Sequence, residues 1–407
     1  MKVNVIGLGY IGLPTALTMA ASGIEVVGTD YNEKLVNTLN DGKVTFEEKG
    51  LVETFNKANA CGIKYTTEYQ KADMYIVSVP TPYDKFSKKI DATYVVNATK
   101  DVLKVCDKGS ILVIESTVSP GTIDKFVRPV VTELGFEIGK DIHLVHAPER
   151  IIPGNMIYEL AHNSRTIGAD NREIGEKVAD VYRKVTSGEV VVTDIKTAEM
   201  TKVIENTFRA VNIAFANELA KICRQDDMNV YEIIRICNMH PRVNILNPGP
   251  GVGGHCISVD PWFLVGDYPS LTNVIWESMK VNDSMPEFVL KRISEIMEEK
   301  GLTDYKRVGL YGLTYKENVD DFRESPTLQL LEFQKTHLAE PLKVYDPYIT
   351  NDIVANQYHN FDEFLNDVDL VVIMVKHDEI KENMHRLEEK IVFDTQNICT
   401  LPDTYKL

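Results

Sequence analysis

Residues 2–30 run strand, glycine turn, helix, strand and acid, and few folds accept that order. Lys2–Ile6 reads as a buried strand and leads into Gly7-Leu-Gly9-Tyr10-Ile11-Gly12. Pro14–Ser22 reads as a helix, Glu25–Thr29 as a second strand, and Asp30 closes that strand 18 residues after Gly12. The glycines permit a tight turn and close approach of a ligand to the backbone, and the helix N-terminus brings partial positive charge. Asp30 suits the two hydroxyls of a ribose and repels a 2′-phosphate. The segment therefore predicts a doubly wound parallel sheet that binds a dinucleotide, NAD rather than NADP. Gly7, Gly9, Tyr10, Ile11, Gly12 and Asp30 are the expected cofactor contacts.

Further strands are predicted at Met74–Val79, Ile111–Glu115 and His143–His146, alternating with helices. Thr81, in VSVPTP, and Thr117, in ESTV, then fall at the carboxyl edge of the sheet, where ligands bind. Both are candidates to touch the cofactor, and Thr117 also the reacting centre. This NAD domain is expected to span 1–193. Asp194 is a plausible N-cap for a helix from Ile195 to Cys223, a stretch with neither Gly nor Pro. Val203, Ile204, Phe208, Val211, Phe215, Leu219 and Ile222 recur along it at helical spacing, as a domain bridge or a dimer face would require. The helical region is expected to reach residue 300.

From residue 301 the α/β pattern returns. RVGLYG, LKVYDPY, VDLVVIMV and IVFDTQN read as four strands in an order that resembles the first domain. The glycine fingerprint is absent from this copy. Its first loop is longer and polar, from Tyr315-Lys316 to Arg323-Glu324, and Ser325-Pro326 is a good helix start.

A net charge of −16 argues against nucleic acid and anionic membranes as partners. An anionic substrate would then need a local cluster of Arg and Lys. The longest apolar run, Leu370–Val375, is far too short to cross a bilayer. Met1-Lys2 leads directly into the first strand, so no signal peptide and a cytoplasmic location are expected. Six cysteines lie scattered with no C-x-x-C pair, which is neither a disulfide framework nor a metal pattern, and no metal is expected. Five of them are expected to be buried reduced thiols.

The sixth, Cys256, sits in GPGVGGHCISVD. Four glycines leave such a thiol accessible. A thiolate is the nucleophile, so a nearby cation should activate it; His255 adjoins it, and Lys202 is the better candidate. Lys202 and Asn206 are four apart on the long helix, hence on one face, with Arg209 near it. Lys202 is suited to steady an alkoxide or shuttle a proton, and Asn206 to donate to an oxyanion. Asp260 is placed to orient or activate a water, and Glu149-Arg150 adds a second carboxylate and a cation. Arg242, Lys316 and Arg323 add positive charge. An alcohol taken only to a ketone has no use for a covalent thiol. An alcohol taken to an acid does, because the intermediate aldehyde must be held. A two-electron hydroxyacid dehydrogenase and a non-catalytic dinucleotide sensor are the rival classes.

GLGYIGLP, ESTVSPGT, HAPER, AEMTKVIENTFRAVNIAFANEL, GVGGHC and YGLTYKENVDDFRESP together resemble the UDP-glucose/GDP-mannose dehydrogenase family, almost end to end. The resemblance implies a UDP-sugar 6-dehydrogenase that reduces two NAD⁺ per turnover. It also implies an N-terminal NAD domain, a central helical region, a C-terminal Rossmann-like sugar-nucleotide domain, and a homodimer or larger assembly. It makes Cys256 the nucleophile, Lys202 and Asn206 the polar pair, and Glu149, Thr117 and Asp260 the groups around the water and reacting centre. Arg323 would contact NAD. Tyr315, Lys316, Arg150, Ile151, Arg209, His240, Arg242 and Gly253 would contact the UDP-sugar, as would Lys202 and Asn206. The UDP-glucose branch usually carries a lysine before the Asp, where this chain has Val259. That feature and HPRVNI resemble the branch acting on UDP-N-acetyl-D-mannosamine, which supplies surface polysaccharides. PGPG-x-GGHCI is shared with N-acetylglucosamine dehydrogenases, so UDP-N-acetyl-D-glucosamine is the alternative, followed by UDP-glucose.

Overall fold

A computed structural model describes residues 1–254, 256–337 and 342–407. The chain forms two compact units, Met1–Glu205 and Asn206–Leu407.

Eight strands make the sheet of the first unit: β1 (Lys2–Ile6), β2 (Glu25–Thr29), β3 (Lys64–Thr66), β4 (Met74–Val77), β5 (Ser110–Ile114), β6 (Ile142–His146), β7 (Arg165–Ala169) and β8 (Val190–Thr193). Their order is β3-β2-β1-β4-β5-β6-β7-β8. The apolar runs of β1, β4 and β5 are buried on both faces, as a sheet covered by helices on each side requires. One pair departs from the all-parallel expectation, since β7 runs antiparallel to β6. The link between them holds only a short helix, Met156–His162, whose Met156 and Leu160 pack with Ile151 against Tyr10 and Ile11. That packing keeps the link at the carboxyl edge, so β7 enters from the end where β6 leaves. β4 stops at Val77, two residues short of expectation, as the chain approaches Pro80 and Pro82.

The second unit contains a six-stranded parallel sheet: β9 (Val308–Tyr311), β10 (Lys343–Tyr345), β11 (Gln357–Tyr358), β12 (Leu370–Ile373), β13 (Ile391–Asp394) and β14 (Tyr405–Lys406). Its order, β11-β10-β9-β12-β13-β14, reproduces that of the first six strands of the other sheet. The repeat extends to backbone detail. Gly7 N–H donates to Thr29 O and Gly312 N–H to Tyr345 O, each at 2.8 Å, and both glycines have positive φ. Ser325 Oγ accepts from Thr327 N–H and starts the helix Pro326–His337.

The long helix runs Ile195–Gln225 and is capped by Asp194, which accepts from Thr197 N–H at 2.9 Å. Its apolar residues divide. Val203 is buried, whereas Ile204, Phe208, Phe215 and Ile222 are between 46% and 64% exposed. No helix among the described residues is long and apolar enough to cross a membrane. The cysteine expectation needs correction: Cys223 and Cys399 are buried, Cys106 is half-buried, and Cys61, Cys237 and Cys256 are exposed. Cys61 and Cys237 sit at helix C-termini, where the chain turns through solvent.

Candidate active site

In the first unit, the turn after β1 is set by contacts that only glycine allows. A Cβ on Gly7 would lie 2.6 Å from Ser78 O, and one on Gly12 only 1.8 Å from Gly7 O. A Cβ on Gly9 would meet nothing within 4 Å. The helix Gly12–Ala21 has no side-chain cap. A closed turn, open space above it and an uncapped helix N-terminus fit the pyrophosphate of NAD. Asp30 is buried, and its carboxylate already accepts from Leu8 N–H and Asn32 N–H, each at 2.8 Å. It braces the turn from β2, and its remaining lone pairs are those available to a ribose. Tyr10 and Ile11 join Ile151 in the small apolar cluster beneath the turn.

The strand ends converge as their sequence positions implied. Thr81 Oγ1 donates to Thr117 O at 2.7 Å. Glu149 follows β6 and is buried; its carboxylate accepts from Arg150 N–H at 2.6 Å and is ion-paired with Arg165. The Arg150 guanidinium is occupied by Ser164 O, Thr166 Oγ1 and Glu205. Lys202 is buried on the long helix, and its ammonium has no hydrogen bond or ion pair among the described residues.

In the second unit, the loop of residues 249–254 is fixed at both ends. Asn217 accepts from Gly249 N–H and donates to Asn282, which donates to Ala210 O. At the other end Gly254 N–H donates to Arg323 O. Side chains on Gly253 and Gly254 would strike Tyr315 at 2.6 and 2.8 Å, and Gly251 and Gly254 have positive φ. Gly253 is therefore needed for packing against the loop that carries Tyr315 and Lys316. Cys256 emerges exposed from this run, and its carbonyl accepts from Asp260 N–H at 2.8 Å as the helix Asp260–Asp267 begins. Asp260 and Asn206 are both buried, and the Asn206 amide donates to Asp260 Oδ2 at 2.6 Å. One N–H of that amide therefore orients the carboxylate. His255 lies outside the described residues.

Arg209 is exposed although Asn206, three residues earlier, is buried. His240 and Arg242 are exposed and bond to each other. Arg323 forks onto the buried Asp321, with Nη2 at 2.6 Å. Lys316 is half-buried, and its carbonyl accepts from Thr314 Oγ1.

Sequence reasoning missed three supports. Buried Arg165 pairs with both Glu149 and Glu115. The Asn217–Asn282 amide pair holds the glycine loop. Buried His377 bonds Asp346 at 3.2 Å and receives Asn318 N–H at 2.9 Å, closing the Tyr315–Asn318 loop. Asp346 was the legible one, because it ends β10 as Asp30 ends β2 and accepts from Leu313 N–H as Asp30 does from Leu8 N–H.

Family models match three consecutive stretches, all described as UDP-glucose/GDP-mannose dehydrogenase family: an NAD binding domain over residues 1–186, a central domain over 196–284 and a UDP binding domain over 309–401. The chain belongs to the UDP-glucose/GDP-mannose dehydrogenase family. It is an NAD-dependent UDP-sugar dehydrogenase. Among its relatives is a UDP-N-acetyl-D-mannosamine dehydrogenase of Methanococcus aeolicus, 40% identical, the match covering 97% of this chain and 91% of that one. Two solved structures are similar throughout. The UDP-N-acetyl-mannosamine dehydrogenase from Staphylococcus aureus is 39% identical with a TM-score of 0.89 over 100% of this chain and 98% of that one. A UDP-D-ManNAc dehydrogenase from Pyrococcus horikoshii is 34% identical with a TM-score of 0.91 over the same shares.

Proposed function

We propose that the enzyme oxidises the C6 hydroxyl of UDP-N-acetyl-D-mannosamine to the carboxylate through a covalent bond to Cys256. The observation that carries this reading is an exposed thiol on a glycine loop, one helical turn before a buried carboxylate that an asparagine holds in place. Relatives that bear the UDP-N-acetyl-D-mannosamine name, and Val259 in place of a lysine, support the choice of sugar. We read 1–193 as the NAD domain, 194–300 as the central region and 301–407 as the sugar-nucleotide domain.

NAD⁺, held over the Gly7–Gly12 turn with Asp30 at its ribose, would supply the hydride acceptor for each of two oxidations at C6. Lys202 steadies the alkoxide as the hydroxyl proton leaves. The Cys256 thiolate adds to the aldehyde carbon, and the resulting thiohemiacetal loses its hydride to become a thioester. Asp260, oriented by Asn206, and Thr117 hold the water that attacks; Glu149 or Asp260 takes its proton. The C–S bond then breaks, and the thiol returns. One alcohol, two NAD⁺ and one water give one carboxylate, two NADH and three protons. We also read the exposed row Ile204, Phe208, Phe215, Ile222 as the seam of a homodimer, since its last three members are seven residues apart. The uronic acid product suits surface-polysaccharide assembly, and the work is assigned to the cytoplasm.

The test is NADH yield across UDP-sugars, including both C2 epimers of the acetamido sugar. UDP-N-acetyl-D-mannosamine should give two NADH per molecule. One NADH with a ketone product would end the covalent reading, and two NADH from the gluco epimer alone would move the assignment to UDP-N-acetyl-D-glucosamine.

A further inference from the structure

Glu149 does not stand by itself. Arg165 opens β7 with a side chain only 4% exposed, between two buried carboxylates. Its Nη2 bonds Glu149 Oε2, and its Nη1 lies 3.3 Å from Glu115 Oε1. Glu115 also accepts from Tyr182 Oη at 3.1 Å and from Ser78 Oγ at 2.5 Å. The guanidinium carbon sits 4.4 Å from the centre of the Tyr182 ring. Burial raises the Tyr182 pKa well above its usual value, so this hydroxyl remains a donor. Ser78 touches the nucleotide turn itself, since its carbonyl oxygen is what a Cβ on Gly7 would strike. A continuous polar chain therefore runs from the glycine turn through Ser78, Glu115 and Arg165 to Glu149.

We infer that Arg165 is a positioning residue for the reaction, which aims Glu149 and keeps it in the carboxylate form that can accept a proton from water. The inference rests on the role given to Glu149 above. Arg165 from β7 and the backbone N–H of Arg150 bond Glu149, and Glu115 from the end of β5 and Tyr182 from the helix Arg172–Tyr182 meet the other side of Arg165. The Arg150 guanidinium is turned away to Ser164, Thr166 and Glu205. Arg165 is thus the cation that Glu149 and Glu115 share. A contacting guanidinium favours the ionised carboxylate; two buried carboxylates without it favour taking up a proton. Loss of Arg165 removes the base and its aim together, while Cys256, in the other unit, is untouched.

The experiment compares Arg165→Gln, Arg165→Lys and Glu149→Gln with the wild type. It measures the pH profile of NADH formation and the lifetime of the acid-quenched thioester on Cys256. Arg165→Gln should lengthen the thioester lifetime at least tenfold and move the acid limb of the profile up by about one pH unit. Arg165→Lys should restore part of both. Melting without ligand supplies a second reading. Arg165→Gln should melt below the wild type, because Glu115 and Glu149 lose the cation they share. A normal thioester lifetime and an unmoved acid limb in Arg165→Gln, with a long-lived thioester in Glu149→Gln, would overturn the role of Arg165 alone. Normal hydrolysis in Glu149→Gln would overturn the reading of Glu149, and this inference with it.

Discussion

Replacing Gly12 and Gly9 by alanine separates what the turn does for folding from what it does for binding. At Gly12 the new methyl would start 1.8 Å from Gly7 O, where real contacts almost never come below 3.0 Å. The two backbone segments must part by about 1.2 Å, and the atom in the way is a main-chain oxygen that no rotamer change can move. Overpacking of this kind costs about 3 kcal/mol, offset by about 1 kcal/mol from alanine's better helix propensity. The net loss of about 2 kcal/mol lowers the melting temperature of a unit this size by about 4–8 °C. At Gly9 the methyl meets nothing within 4 Å, so stability should stay within about 0.5 kcal/mol of wild type. That same methyl would occupy space a pyrophosphate needs. NAD⁺ affinity should fall at least tenfold, which corresponds to about 1.4 kcal/mol. The assays are thermal melting without ligand and calorimetric titration with NAD⁺. If Gly9→Ala bound NAD⁺ as well as the wild type, the placement of the dinucleotide over this turn would be wrong; if Gly12→Ala melted like the wild type, the close packing of the turn would be wrong.

Other outcomes follow from the same geometry. Cys256→Ala should lower acid formation by about three orders of magnitude or more while NAD⁺ binding stays near wild type; product analysis by mass spectrometry checks it, and undiminished acid would remove the nucleophile. His146 is wholly buried at the end of β6, and desolvation lowers its pKa from 6.5 to about 4 despite the bond from Nδ1 to Ile114 O. The unfolded chain therefore binds the extra proton first, so this stability is present above pH 6.5 and is lost as pH falls toward 4. The loss is on the order of 3 kcal/mol, and His146→Phe should flatten that part of a stability-versus-pH curve. Phe208→Glu with Phe215→Glu should convert a dimer to a monomer in light scattering, since both rings are at least 50% exposed on one helix; an unchanged mass would place the seam elsewhere.

The legible parts of the chain were those where local chemistry and fold agree. β1, the glycine turn and Asp30 could be read because a tight turn between strand and helix demands glycines, and the acid that ends β2 braces that turn, each at a fixed offset. The four main strands of the second sheet were legible as apolar runs between turn signals. Asp194 was legible as a cap because a helix N-terminus needs an acceptor there. Arg165 was not legible, since its partners Glu115 and Glu149 are 50 and 16 residues away and only sheet pairing brings them together. The same holds for Asn217 and Asn282, 65 residues apart, which lock the glycine loop.

Sequence alone determined the two α/β repeats, the dinucleotide turn, the long uninterrupted helix and the setting of Cys256 among glycines, because each depends on residues close together in the chain. Tertiary structure decided the antiparallel entry of β7 and which apolar residues of the long helix face solvent. It also decided that Asn206 grips Asp260 and that Arg165 serves two buried carboxylates. Those outcomes depend on which distant segments exclude water from each other, and no local spacing records that.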